Sequence, residues 1–161
     1  MLVGNKDLSS VTLKHIKLSK SNLVSANLSI ANLSIALLFD ANLSEAYFFE
    51  ANLLEANLSE ASLCAAKLCK TNLSEAILYN TNLSNSILIN PSGYTDIRVN
   101  ASTNFTGCIT DEKNLIEYLK KYNVERLPLE INNKQELRER LQTRPNLNDE
   151  LIELIIRYSR F

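Results

Sequence analysis

The chain has 161 residues and nearly balanced charge, 17 Lys and Arg against 18 Asp and Glu, for a net charge of −1. That balance offers neither the basic footprint expected of a nucleic-acid-binding protein nor an overall acidic excess. No apolar run is long enough to span a membrane, and the N-terminal residues lack the charged-then-apolar profile of a signal peptide.

The first predicted element is a repeat. Leucine, once replaced by Phe48, stands at every fifth residue from Leu8 to Leu88. In an α-helix five residues turn the chain by about 500°, so these leucines would spiral round the cylinder and form no apolar face. In a straight strand residues five apart point to opposite sides, and half of the leucines would face water. Within each unit a small residue stands two before the large one, as in Ala26 with Leu28 or Ala51 with Leu53, and two apart means the same side of an extended segment. The spacing therefore predicts a coil of short extended sides with a corner after every five residues.

The units Ala-Asn-Leu-Ser-Ile, Ala-Asn-Leu-Ser-Glu and Thr-Asn-Leu-Ser-Glu resemble those of the pentapeptide-repeat proteins, and the match covers roughly residues 6 to 90. The resemblance implies an all-β solenoid: a right-handed quadrilateral parallel β-helix with four pentapeptides to a coil. About four coils are expected, stacked at the strand spacing of about 4.7–4.9 Å. We assign residues 1–110 to this β-helix and 111–161 to a small C-terminal α-helical segment that caps or docks on it.

With four units per coil, residues twenty apart fall into columns. Asn32, Asn52 and Asn72 share one, and Asn22, Asn42 and Asn82 another, with Ser62 between; these are expected to satisfy turn backbone or form amide ladders. The first coil, with Lys6, Val11, Ile16 and Ser21 at the small position, is expected to be a distorted cap. Two columns are apolar on the outside: Tyr47 and Phe49, then Cys69, then Ile87 and Ile89; and Leu37 and Phe39, then Ile77 and Tyr79, with Asn57 and Ser59 between. Columns of this kind mark a covered or contacted surface, so these residues are candidates for protein binding, against the simpler reading that the C-terminal segment packs over one of them. The free fifth position carries Asp40, Glu45, Glu50, Glu55 and Glu60, a circuit of acid with Glu75 below Glu55, while Lys6, Lys14, His15, Lys17 and Lys20 make the first coil basic. A solvated repeat surface that keeps sheet edges soluble is the plainer explanation of that ring.

Between 91 and 102 the register breaks, with Pro91-Ser-Gly93-Tyr94 suggesting a turn, and Thr103 to Gly107 returns as a lone pentapeptide in a shifted frame. The interruption is expected to be a loop bulging from the last coil. Asp111 to Tyr122 places Leu115, Ile116, Leu119 and Tyr122 at helical spacing behind a Thr110 N-cap. Leu127 to Ile131 is expected to be extended or irregular. Asn133 and Glu136 form a capping-box pattern, and Pro145 separates that helix from a last one over about Asn148 to Ser159.

Catalysis has little to stand on. His15 is the sole histidine and the glutamates sit at separate corners, not in a cleft. With Gly4, Gly93 and Gly107 the only glycines, there is no phosphate-cradling loop, and Cys64, Cys69 and Cys108 lack metal-ligand spacing and read as reduced thiols. We expect no catalytic residues, cofactor or metal. The Asn-Leu-Ser triplets would be glycosylation acceptors in a secreted version, so a cytoplasmic, prokaryotic setting is expected.

The expected function is a non-enzymatic protein-binding module or scaffold with an unidentified protein partner. A homodimer through the C-terminal segment is a further candidate, with no direct nucleic-acid or membrane contact. The resemblance also implies an alternative, since some pentapeptide-repeat proteins resemble a DNA duplex in shape and charge and bind or protect type II topoisomerases. A passive structural role through association of rods is the third reading.

Overall fold

The computed structural model describes residues 6–161. The expectations that touch residues 1–5, namely the start of the 1–110 unit, Gly4 and the signal-peptide profile, lie outside the described residues. Each five-residue unit forms one side of a four-sided coil. The small residue and the leucine point inward, the residue between them points outward, and the next two make a turn. The hydrogen bond from the Ala26 N–H to the Leu23 carbonyl, 3.0 Å, is typical of these turns. Their last residue takes a positive φ, between 50° and 62°, at every corner from Ser10 to Asn90.

Backbone groups pair with the coils above and below, twenty residues away, as in Leu28 N–H to the Tyr47 carbonyl at 2.8 Å. On the first side Asp7, Asn27, Tyr47, Lys67 and Ile87 stack in parallel, and on the second Thr12, Asn32, Asn52, Asn72 and Ser92. The third stacks Lys17, Leu37, Asn57, Ile77 and Arg98, and the fourth Asn22, Asn42, Ser62, Asn82, Asn104 and Arg126. Inside, Ala26 through Ala66 and Leu28 through Leu68 are sealed from solvent, Phe48 among them. Where the small residue becomes threonine, its hydroxyl is satisfied: Thr71, Thr81 and Thr103 donate to the carbonyls of Phe48, Leu58 and Leu78 at 2.7–2.8 Å.

The asparagines are structural, as the columns suggested. Asn27 and Asn52 each accept the backbone N–H two residues on, at 3.2 and 3.1 Å, and Asn72 Nδ2 reaches Asn52 Oδ1 at 3.0 Å. The first coil, in contrast to expectation, is not distorted. Ser10, His15, Lys20 and Ser25 make the same corners as later coils, and Val11 at the small position is exposed.

The expected bulging loop at 91–102 is also corrected. The chain stays on the rod, absorbing one extra residue before Arg98 and a second before Asn104, so that the pairings run Asn72 to Ser92, Ile77 to Arg98 and Asn82 to Asn104. Ile97, Val99 and Phe105 fill the inward positions. Gly93 is required there: its φ is 66°, and a Cβ would lie 2.5 Å from the backbone nitrogen of Ser74.

Stacking continues past residue 110, which moves the rod's end beyond the expected boundary. Strands β1 (Ile87–Leu88), β2 (Ile109–Thr110) and β3 (Leu129–Glu130) form a parallel sheet that extends the first side. Helix α1 (Lys113–Lys121) stands between β2 and β3 and closes the rod, sending Leu115 and Leu119 into the main core. Its N-cap is Glu112, because Thr110 belongs to β2 and its hydroxyl accepts the Glu112 N–H. Helices α2 (Lys134–Gln142) and α3 (Asp149–Tyr158) begin at Asn133 and Asn148, whose side chains accept from Glu136 N and Leu151 N at 2.9 Å. Glu136 reaches back to accept the N–H of Asn132, one residue before the N-cap, so the expected capping box forms with its second bond shifted by one position.

Candidate functional site

The two apolar columns meet different fates. On the first side Phe49, Cys69, Ile87 and Ile89 are buried with Ile109 and Ile131 under Leu137, Leu141, Ile152, Ile155 and Ile156 of α2 and α3. Phe49 stacks on Tyr158 with ring centroids 5.7 Å apart, and Tyr47 is half-buried beside it. As a surface for a separate partner this column is corrected: the chain's own helices occupy it. Burial pushes the Cys69 thiol far above its ordinary range and the Cys108 thiol up to about 11. Arg144 fastens the α2–α3 connection by donating to the carbonyls of Asn85 and Gly107, and Arg160 fastens the C-terminus through Glu112 and, at 2.7 Å, Asn90 Oδ1.

On the third side the other column stays open. Leu37 is 40% and Tyr79 41% exposed, with Phe39 and Ile77 half-buried beside them. Helix α1 extends this strip with Tyr118 and Tyr122, whose rings lie 4.7 Å apart. Tyr118 is fixed by its hydroxyl donating to the Ile97 carbonyl at 2.7 Å, and burial together with Tyr122 pushes its phenol up to about 12. Tyr79, Tyr118 and Tyr122 line a concavity of about 580 Å³ with Glu75, Asp96 and Arg98. The sequence placed Tyr122 on the buried face of its helix and did not single out Tyr118. The four-residue spacing of the two tyrosines is the signal that would have paired them.

The acidic circuit is broken by the helices. Tyr158 donates to Glu50 at 2.8 Å, and Asn146 Nδ2 lies 3.5 Å from Glu45. The remaining carboxylates frame the third side: Glu55 and Glu75 turn the corner before it, Asp40 and Glu60 the corner after it, and all four are exposed. The result is an apolar and aromatic strip with an acidic border.

Residues 26–63, 41–78 and 56–90 match the family described as pentapeptide repeats, in eight copies. Over residues 26–90 the rod is built of pentapeptide repeats. Among solved structures it is similar to a pentapeptide-repeat protein of the Arabidopsis thaliana thylakoid lumen, at 28% identity and a TM-score of 0.58 over 71% of this chain and 77% of that one. A pentapeptide-repeat protein from the cyanobacterium Cyanothece 51142 is 33% identical over 62% of this chain and 63% of its own, with a TM-score of 0.28. QnrB1, a plasmid-mediated fluoroquinolone resistance protein, is 14% identical over 73% of this chain and 72% of its own, with a TM-score of 0.37. No curated protein matches the chain significantly. The pentapeptide-repeat likeness supports the right-handed winding expected from the repeat units. Among the described residues no helix is long and apolar enough to cross a membrane.

Proposed function

We propose that this pentapeptide-repeat chain is a non-enzymatic protein-binding module that engages a protein partner through the third side of its rod. The observation that carries the reading is the contrast between two equivalent apolar columns: the first is covered by α2 and α3, and the third is left open and enlarged by Tyr118 and Tyr122. Tyrosines supply large contact area at low conformational cost and are enriched where proteins bind one another. The border of Asp40, Glu55, Glu60 and Glu75 selects a partner whose apolar anchors are flanked by Lys or Arg. A reducing, cytoplasmic setting is part of this proposal, supported by free thiols at Cys64, Cys69 and Cys108.

Two other readings have less support. Mimicry of DNA toward a topoisomerase needs a continuous run of carboxylates, whereas Glu45 and Glu50 are engaged by the chain's own residues and the first coil carries lysines. Assembly through the C-terminal segment would need free apolar surface on α2 and α3, and their buried faces are spent on the rod. The test places a photo-crosslinking residue at Tyr79 in one version and at Lys14, exposed on the second side, in another. A partner adduct at Tyr79 that disappears with Phe39→Ser, in protein whose circular dichroism is unchanged, supports the reading. Equal adducts at both positions, or none at Tyr79, refute it.

A further inference from the structure

The connection between α2 and α3 bridges the corner between the fourth and first sides without filling it, leaving a cavity of about 540 Å³. Ile87, Ile109 and Leu129 give it an apolar lining. Its charges do not balance: Lys67, Arg140 and Arg144 line it with Glu45 as the single carboxylate. Lys67 stands in an outward column position between Tyr47 and Ile87, yet is only 3% exposed. Its Nζ donates to the Glu45 backbone carbonyl at 3.2 Å and lies 4.8 Å over the Tyr47 ring, and among the described residues no carboxylate is in ion-pair contact with it. An ammonium carries three donors, so two remain for a ligand. Arg144 spends its guanidinium on two neutral carbonyls, which satisfy its hydrogen bonds without neutralising its charge, and Arg140 repels it. Burial holds the Lys67 ammonium below the ordinary lysine range even with Glu45 nearby. A buried cation short of a counter-charge is costly, and an anion entering the cavity removes that cost.

We propose that this cavity binds a small amphiphilic carboxylate, its head group on Lys67 and Arg140 and its hydrocarbon over Leu129, Pro145 and Leu147, whose apolar surface is open above the sealed Ile87 and Ile109. The size suits such a ligand, since binding cavities are mostly apolar with a few convergent polar groups. The site lies at the corner between the fourth and first sides, away from the third side that carries the partner-binding strip, and goes beyond that reading; neither depends on the other.

The experiment is calorimetric titration of the full chain with octanoate, beside octanol and inorganic phosphate. The expected result is saturable one-to-one binding of octanoate, weakened at least tenfold by Lys67→Met, with octanol and phosphate each binding at least tenfold more weakly. Arg140→Gln, at an exposed position that does not support the fold, is expected to weaken octanoate several-fold and keeps the test decisive should Lys67→Met fail to fold. No saturable binding of octanoate overturns the proposal. So does octanol binding as well as octanoate, which would mean an apolar hole only. Phosphate binding as well as octanoate overturns it too, and so does unchanged octanoate affinity in Arg140→Gln or in a folded Lys67→Met.

Discussion

Ile155 offers the cleanest way to separate the helical cover from the rod. Its side chain is fully buried in the second core, between α3 and the first side, and makes no part of the coils. Ile155→Ala removes three buried carbons and leaves a cavity, which costs about 2–5 kcal/mol in a well-packed core. Because the pentapeptide coils are held by their own interior and by backbone pairing along the rod, that loss falls on the docking of α2 and α3 and not on the coils. Taking the lower figure, about 2 kcal/mol raises the undocked population roughly 30-fold. Hydrogen exchange read by mass spectrometry should show amides of Lys134–Gln142 and Asp149–Tyr158 exchanging faster by about that factor, with residues 26–85 unchanged. Equal acceleration in the coils would mean that rod and cover unfold as one unit. No acceleration in the helices would mean that Ile155 is not packed as described. Either result refutes the reasoning.

Other positions give independent checks. Ile30 is a β-branched residue at φ 61° with 62% of its surface exposed, so Ile30→Asn should relieve corner strain and raise stability by roughly 1 kcal/mol in a thermal melt. Gly93→Ala should lower the melting temperature by several degrees, since the new methyl meets Ser74 backbone and the positive φ becomes strained. In a thiol-reagent assay on native protein at about pH 8, Cys64 should react quickly, whereas buried Cys69 and Cys108 should wait for unfolding. Tyr118 and Tyr158 have phenols pushed up to about 12 from 10.0, so the unfolded chain loses these protons first. Their contribution is intact below pH 10 and declines between 10 and about 12, and Tyr158→Phe should flatten part of that alkaline loss in a pH series of melts.

Much of the rod was legible because a period of five admits so few backbone solutions. The asparagine columns and the closed interior followed from it, and the starts of α2 and α3 followed from Asn133 and Asn148. Which apolar column would be covered was not legible, since Phe49 and Ile89 occupy the same outward positions as Phe39 and Tyr79, and only the docking of α2 and α3 distinguishes them. The fifth coil was hidden because two single-residue insertions shift the frame, Val99 and Phe105 replace the expected leucines, and Ile97 replaces the expected small residue. Lys67 escaped notice because a lysine at an outward repeat position reads as solvated. The clue was its place between Tyr47 and Ile87 in the first-side column, where a charge stands among side chains awaiting cover.

The C-terminal helices cover the first side of this rod from within the same chain. Light scattering on the full chain beside a version ending at Thr110 tests it most directly. The truncation strips the cover from Phe49, Cys69, Ile87 and Ile89 and removes α1 from the open end of the coils. The account predicts a monomer for the full chain and aggregation of the truncated one; a full chain that dimerises and a truncation that stays a soluble monomer would contradict it.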